Sequence, residues 1–209
     1  MIQRWLDQLA ADPRMWGALR WVAEAGFGAD RAVITRELRP HAPDGPAQVL
    51  DFGCGTGEFA ACFPPGGYVG CDIAPHYVRY AGQRHRGRYA VMDGAALGFA
   101  AGRFDAALVL GVFHHLSDAL VRASIQELAR VLRPGATLLV LEDIPTRRWW
   151  NIAGHLMHWL DRGDHIRSDA DYRRLFAPHF VLERSYAIQS GICDLAVYVL
   201  QRTTARDGG

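Results

Sequence analysis

The chain has 209 residues, of which half are hydrophobic and 22% are charged, and its 23 basic residues nearly balance its 22 acidic residues. This size and composition favour one globular domain with appendages, and they exclude a strong overall charge that would attract nucleic acid or membranes. All of the basic residues are Arg, so a lysine Schiff base or a lysine base is excluded as well.

The N-terminal segment, MIQRWLDQLAADPRMW, alternates charged and apolar residues and lacks the continuous apolar stretch of a secretory signal. The sequence contains no run of about 18 or more apolar residues that could span a bilayer. Its four cysteines, at positions 54, 62, 71 and 193, form no C-x-x-C pair. We therefore expect a cytoplasmic protein with reduced thiols.

Residues 1–46 are predicted to form an N-terminal helical cap. Pro13 near the start and Gly26 at the end indicate a first helix, and a second helix ends before Pro40. The Pro- and Gly-rich stretch PHAPDGPA then separates this cap from the rest of the chain.

Between residues 47 and 202, short apolar strands alternate with helices. Five near-continuous apolar runs are typical of parallel strands buried on both faces: AQVLDF, YVGCDI, YAVMD, FDAALVLG and ATLLVLED. Helices are predicted around 75–86 and 117–132, and a terminal antiparallel strand pair should turn at Ser190 and Gly191. The pattern predicts a doubly wound α/β domain, followed by a flexible tail at 203–209.

Residues at about 145–168 predict a loop and an aromatic-rich helix, inserted at the sheet edge where open α/β sheets bind ligands. We expect this insert to be a lid that provides acceptor specificity and excludes water. The candidate substrate-pocket residues are Trp149, Trp150, His155 and Trp159 from the insert, and Cys193 from the turn between the last two strands.

Two alternatives remain open for this insert. Paired Arg and Trp residues at 147–160 are compatible with transient contact with a membrane surface, which would imply a lipidic acceptor. A metal site at His155, His158 and Asp161 is disfavoured because the spacing lacks a Glu-x-x-His signature. We therefore predict no metal.

The stretch VLDFGCGTGEFA runs from the first strand into Gly53, Gly55 and Gly57. Glu58 occupies the position that a dinucleotide fingerprint reserves for its last glycine, and its carboxylate would repel phosphate. No Gly-Lys-Ser/Thr sequence follows, so a Walker-type phosphate loop is also disfavoured. This loop, with Asp51 before it, suits a ligand that combines positive charge with an adenosine group.

Acidic residues end three successive strands, and together they predict a nucleoside site. Asp72 lies where a carboxylate can accept hydrogen bonds from two ribose hydroxyls, and Asp93 can accept one from an adenine amino group. Asp51 adds negative charge beside the glycine loop. Each of these acids could also be a turn former, but their joint spacing favours the ligand site.

Residues 47–143 resemble the core of the class I S-adenosylmethionine-dependent methyltransferases, especially the broad family that includes quinone-biosynthesis enzymes. Five segments in order carry this resemblance: VLDFGCGTGEFA, VGCDIAPHYV, VMDGAALGF, FDAALVLGVFHHL and ARVLRPGATLLVLED. The resemblance implies a seven-stranded Rossmann-like sheet, S-adenosyl-L-methionine as the cofactor and methyl transfer as the reaction.

The resemblance also implies a set of cofactor contacts. Asp51 would position the methionine ammonium, and Asp72 with Ile73 would hold the ribose. The remaining implied contacts are Gly53, Gly55 and Gly57 at the methionine and ribose, Asp93, Gly94 and Ala95 at the adenine, and Leu110 and Gly111 at the methionine pocket.

Candidate catalytic residues are His114, His115 and Asp143, which follow the fourth and fifth strands at the same crevice. Methyl transfer mainly requires alignment and exclusion of water, and a base is needed only for an acceptor that arrives protonated. Histidine can take such a proton near neutral pH. Alternatively, one histidine is structural and Asp143 caps the following segment.

We expect a small-molecule acceptor, with aromatic or lipid-like compounds as candidates. A nucleic-acid partner is not expected, because no basic stripe with interleaved aromatic residues is apparent. The alternative from another class is a cofactor-binding protein that does not methylate and has a structural or regulatory role. A nicotinamide oxidoreductase is disfavoured by the glycine spacing.

Overall fold

The computed structural model describes residues 12–38, 47–145, 149–152 and 165–204. Within these ranges, seven strands form one sheet in the order β3-β2-β1-β4-β5-β7-β6. The strands are β1 Val49–Phe52, β2 Tyr68–Asp72, β3 Arg88–Val91, β4 Phe104–Leu110, β5 Leu132–Asp143, β6 Phe180–Ser190 and β7 Cys193–Arg202. The first five strands are parallel, and β7 is antiparallel to both β5 and β6. The predicted fold class is confirmed.

Five α-helices accompany the strands in the described part of the chain: α1 Pro13–Ala23, α2 Gly28–Glu37, α3 Pro75–Arg84, α4 Asp118–Val131 and α5 Asp169–Phe176. Local sequence explains where several of them begin. Asp12 caps α1 by accepting a hydrogen bond from the Arg14 backbone N–H, while Ser117 and Ser168 cap α4 and α5 in the same way.

The strand order places the candidate site. β1 pairs with β2 on one side and with β4 on the other. The strands β2 and β3 are therefore added on one side of β1, and the later strands are added on the other side. Loops that leave β1 and β4 then diverge and open a crevice at their carboxyl ends. The glycine loop follows β1 and therefore lies at this crevice.

Both faces of the sheet are buried, which explains the near-continuous apolar runs. Alternate residues of β1 enter different cores: Leu50 and Phe52 pack on the face covered by α4 and α5, whereas Val49 packs on the face covered by α2. The same alternation in β4 sends Val109 to the first core and Leu108 to the second.

The joint between α1 and α2 fixes the position of α1. Ala25, Gly26 and Phe27 all have positive φ, at 48°, 73° and 60°. This conformation is costly for Ala and Phe, and the burial of Phe27 against Phe59 at 5.5 Å between ring centroids offsets that cost. α1 therefore ends at Ala23, three residues before the predicted end at Gly26.

The predicted lid insert lies mostly outside the described residues, as do His155 and Trp159. The predicted boundaries of the cap, the lid and the tail stay predictions. Among the helices of the described ranges, none is long and apolar enough to cross a membrane.

Candidate active site

The glycine loop is pinned to β2 and leaves one glycine facing open space. The backbone N–H groups of Gly53 and Cys54 both donate to the Cys71 carbonyl, at 2.8 and 2.9 Å. A Cβ at Gly53 would lie 2.5 Å from Val112, so the backbone approaches that side chain too closely for any other residue. At Gly55, where φ is 50°, a Cβ would meet nothing within 4 Å. The bare backbone there can contact a ligand.

Asp72 joins the glycine loop to the end of β2. Its Oδ2 accepts from the Gly55 N–H at 2.9 Å, and its Oδ1 accepts from the Ala74 N–H at 2.8 Å. Each carboxylate oxygen can accept a second hydrogen bond, as the predicted ribose contact requires. The next side chain, Ile73, is 70% exposed and offers an apolar surface beside this carboxylate.

Asp51 lies behind the loop and is buried. It accepts a hydrogen bond from the Tyr68 hydroxyl at 2.6 Å. Burial raises the pKa of Asp51 to about 7, against the opposing effects of Tyr68 and the Arg20 guanidinium. A cation bound in the crevice would favour the ionised form of this carboxyl. The predicted ammonium contact stays a prediction.

The predicted adenine segment forms a turn at the end of β3. Exposed Asp93 accepts from the Ala95 N–H at 2.9 Å. Gly94 has a packing reason to be glycine, because a Cβ there would lie 2.4 Å from the Phe52 ring. At the end of β4, Leu110 is buried and Gly111 has a φ of 64°.

A buried network holds the turn that carries the two histidines. Glu142 is completely buried, and its carboxylate accepts from the backbone N–H groups of Val112, Phe113 and His114 at 3.0, 2.7 and 3.2 Å. It also accepts from the ring Nδ1 of His114 at 2.8 Å. Burial alone would raise the pKa of Glu142, but His114 and these N–H donors outweigh it and lower that pKa. Glu142 is therefore a buried anion that orients His114.

The three predicted catalytic residues occupy different environments. His114 is 2% exposed, and its Nε2 lies 3.6 Å from Asp143 Oδ2. His115 is exposed, and its ring centroid lies 3.9 Å from that of His114. The structure thus brings His114 and Asp143 together at the ends of β4 and β5.

The sequence analysis did not identify Arg167, whose side chain is hydrogen-bonded to the turn that carries the two histidines. Its guanidinium donates to the carbonyls of Phe113 and Leu116 at 2.6 and 2.5 Å, and to Asp118 at 2.9 Å. A single Arg near the end of the predicted insert gives no local signal of such a role. These contacts with the turn span more than forty positions of the chain.

The acceptor side of the crevice is bordered by three elements. The Asn151 amide donates to the Ile192 carbonyl at 2.8 Å, and the Ile192 N–H donates to the Ala23 carbonyl at 2.9 Å. These bonds connect the segment after β5, the β6–β7 turn and the end of α1. Predicted pocket residues Trp149 and Trp150 are 82% and 60% exposed, so the described part of the chain does not enclose them.

Predicted pocket residue Cys193 begins β7 opposite Ser190, at the same turn. The described residues contain no group of three or more His, Cys, Asp or Glu that could hold a metal ion. The three side chains considered for a metal, His155, His158 and Asp161, lie outside the described residues.

The residues of the crevice fit an adenosyl sulfonium. Gly55 leaves room for a ligand, and Asp72 presents a carboxylate beside it. Asp51 and Asp143 add negative charge that suits a cation. The chain also matches, over residues 49–135, a family described as a methyltransferase domain. Over the strands and loops that build this crevice, the chain is therefore similar to methyltransferases. S-adenosylmethionine is the cofactor that the residues of the crevice fit.

Curated relatives of the chain are methyltransferases named for different acceptors. A tRNA (carboxymethyluridine(34)-5-O)-methyltransferase of Arabidopsis thaliana is 30% identical over 129 residues, which are 57% of this chain and 32% of that protein. A demethylmenaquinone methyltransferase of Thermus thermophilus is 33% identical over 128 residues, which are 57% of each protein. The matches thus span about a third of the first relative and little more than half of the second.

A solved structure supports the fold over a longer part of the chain. The geranyl diphosphate C-methyltransferase of Streptomyces coelicolor superposes with a TM-score of 0.67 at 14% identity, and covers 84% of this chain and 79% of that one. At this identity the likeness concerns the fold alone.

The expectation of no nucleic-acid partner is wrong, because a relative at 30% identity is a tRNA methyltransferase. The overall charge was a poor guide, since it averages over local differences. Residues 73–92 contain no Asp or Glu, and they interleave four Arg with three Tyr. This is a basic stripe with aromatic residues, which the balanced composition concealed.

Proposed function

We propose that this methyltransferase transfers the methyl group of S-adenosylmethionine to a small-molecule acceptor. The main observation behind this proposal is that two pairs of residues lie at neighbouring strand ends. Gly55 and Asp72 are hydrogen-bonded to each other at the ends of β1 and β2, and His114 lies beside Asp143 at the ends of β4 and β5. Bound S-adenosylmethionine supplies an activated methyl group. The chain then has to align the acceptor and exclude water.

His114 is arranged to take a proton from the acceptor. Because Glu142 is ionised, Nδ1 of His114 carries the hydrogen of their shared bond, which leaves the lone pair on Nε2. Protonation at Nε2 would create an imidazolium between two carboxylates, Glu142 and Asp143. A hydroxyl, phenol or acidic carbon could be deprotonated in this way.

The chain segments around the acceptor side of the crevice support a small acceptor. Hydrogen bonds of Asn151 and Ile192 join three chain segments around that side, so the space is bounded by elements distant in sequence. A demethylmenaquinone methyltransferase among the relatives is compatible with an aromatic or lipid-like acceptor.

The test is methyl transfer from labelled S-adenosylmethionine to a panel of phenols, quinone precursors and amines, with unmodified tRNA as a separate arm. Label in a small product, with loss of transfer in Asp72→Ala, supports the proposal. Label in tRNA alone would refute the small acceptor. Cofactor binding without any transfer over both arms would favour the non-methylating alternative.

An RNA nucleoside is the second candidate acceptor. It is favoured by the tRNA methyltransferase relative and by the basic stripe at residues 73–92. Arg79, Arg84 and Arg86 are exposed, and Arg84 lies over the Tyr80 ring at 5.2 Å. Phosphate contacts of this kind are salt-dependent. Arg84→Gln with Arg86→Gln should weaken tRNA binding and leave S-adenosylhomocysteine binding unchanged; equal tRNA binding would remove this candidate.

A further inference from the structure

α1 crosses the glycine loop and belongs to the same site. A Cβ at Gly17 would lie 3.7 Å from Glu58 and 3.9 Å from Thr56, so the helix backbone approaches the loop closely. The far end of α1 is tied to the β6–β7 turn through the Ala23 carbonyl. Arg20 lies three residues after Gly17, and therefore on the same side of the helix.

The Arg20 guanidinium is held in place by Glu24, but these contacts do not use all of its N–H donors. Its Nε and Nη2 donate to the two carboxylate oxygens of Glu24, at 2.7 and 3.2 Å, and its Cζ lies 5.3 Å from the Phe27 ring centroid. A guanidinium has five N–H donors, so three remain for another acceptor. The side chain is 25% exposed.

The charge of Arg20 acts on the residues that line the cofactor side. Although burial is the largest influence on each, Arg20 opposes the rise in the pKa of Asp51 and of Tyr77. Against the effect of burial, Glu24 raises the pKa of Arg20 above its usual range, and Asp143 and Asp30 add to this rise. These effects agree with a guanidinium on the side of α1 that approaches the glycine loop at Gly17.

We propose that Arg20 forms a carboxylate-binding subsite for the methionine end of the cofactor, an inference that rests on the proposed function. The ligand carries a carboxylate as well as a sulfonium and an ammonium. Asp51, Asp72 and Asp143 suit the two cationic groups but repel the carboxylate. A guanidinium with free N–H groups supplies the missing positive charge and binds a carboxylate through two parallel hydrogen bonds.

This subsite makes the helical cap part of the cofactor site. Ligands with the amino-acid end should engage Arg20, whereas an adenosyl ligand without it should not. S-adenosylhomocysteine and 5′-methylthioadenosine differ in this way, because the second lacks the ammonium and the carboxylate. Their comparison isolates the amino-acid end from the ribose and adenine contacts.

The experiment is isothermal titration of both ligands into the full chain, its Arg20→Gln variant and the matched control Arg14→Gln. Arg14 is an exposed residue of the same helix, and the structure shows no contact of its guanidinium within the described ranges. Arg20→Gln should weaken S-adenosylhomocysteine binding by about 10- to 100-fold, and 5′-methylthioadenosine binding by less than about 3-fold. Arg14→Gln should change neither.

Each other outcome has a definite meaning. Equal losses for both ligands would mean that Arg20 only packs α1, and no loss for either would also overturn the subsite. Failure of the unmodified chain to bind either ligand would instead refute the cofactor assignment. If Arg20→Gln does not fold, Arg20→Lys replaces it. Lysine keeps the charge but lacks the paired donors, so it should give a smaller loss confined to S-adenosylhomocysteine.

Discussion

The ring of His114 and the carboxylate of Glu142 share a buried hydrogen bond of 2.8 Å, between residues 28 positions apart. The same carboxylate receives three backbone N–H groups from the turn that carries the histidine. One side chain therefore sets both the backbone of this turn and the orientation of its ring.

Glu142→Gln should destabilise the protein by about 2–3 kcal/mol at pH 7, because charged hydrogen bonds to the turn are lost. The lowered pKa of Glu142 means that its contribution is present above the usual glutamate pKa of about 4.3 and is lost as the pH falls through the folded-state pKa. Urea unfolding at pH 7 and at a series of lower pH values down to about pH 2 measures both effects. Exposed Glu183→Gln is the control, and equal stability of the two variants would contradict the role.

Substitution of His114 and substitution of His115 should have different effects on the free energy of unfolding. His114→Gln should lower the free energy of unfolding by about 1–3 kcal/mol, because it disturbs the partner of a buried carboxylate. His115→Gln should leave unfolding nearly unchanged, because its ring is exposed. Thermal unfolding compares them. Once an acceptor is known, the proposed base predicts that His114→Gln, and not His115→Gln, alters the pH profile of the rate.

Gly53 and Gly55 should respond differently to alanine, although both have positive φ. Gly53→Ala adds a clash with Val112 to a backbone cost of about 1–2 kcal/mol, so it should destabilise the chain strongly. Gly55→Ala carries only the backbone cost but places a methyl group in the open ligand space. Paired unfolding and S-adenosylhomocysteine titrations test this. A cofactor affinity that is normal in Gly55→Ala would show that the ligand lies elsewhere.

Asp72→Ala should weaken S-adenosylhomocysteine binding by about 2–4 kcal/mol, because two charge-assisted ribose hydrogen bonds and the link to Gly55 are lost. Asp93→Ala is the comparison, since its exposed carboxylate should contribute less. Calorimetric titration of both variants decides the matter. Unchanged affinity in Asp72→Ala would refute the ribose assignment.

Asp51 should couple cofactor binding and stability to pH. Its pKa is raised to about 7, so the folded state retains a proton that the unfolded chain loses at about pH 4. The protonated form stabilises the fold fully below the unfolded-state pKa, and this stability is lost as the pH rises through about 7. Cofactor affinity should increase over the same rise, because the ionised carboxylate attracts a sulfonium.

Asp51→Asn should flatten both pH dependences, and it retains an acceptor for the Tyr68 hydroxyl. Unfolding and titration of the variant between pH 5 and 8 provide the measurement. A pH dependence of cofactor affinity that persists in Asp51→Asn would assign the titration to another group.

The sequence by itself determined the alternation of strands and helices, the terminal hairpin and the glycine loop with its three acids. These are local patterns: strand burial repeats every second residue, and Ser117 lies one residue before the helix that it caps. It also indicated the family, because five segments occur in the family order. The spacing of Arg20 and Glu24 in the sequence indicates only an ion pair on a helix surface. It does not indicate that Arg20 faces a ligand.

Only the tertiary structure decided which distant side chains meet. Glu142 reaches His114 because β4 and β5 pair in a fixed register, and Asn151 reaches Ile192 across 41 positions because β7 returns beside β5. Gly17 of α1 comes close to the glycine loop because the positive-φ joint and the β6–β7 turn direct this helix. Sequence periodicity describes neighbours within a turn or along a strand, whereas these contacts depend on how complete elements cross.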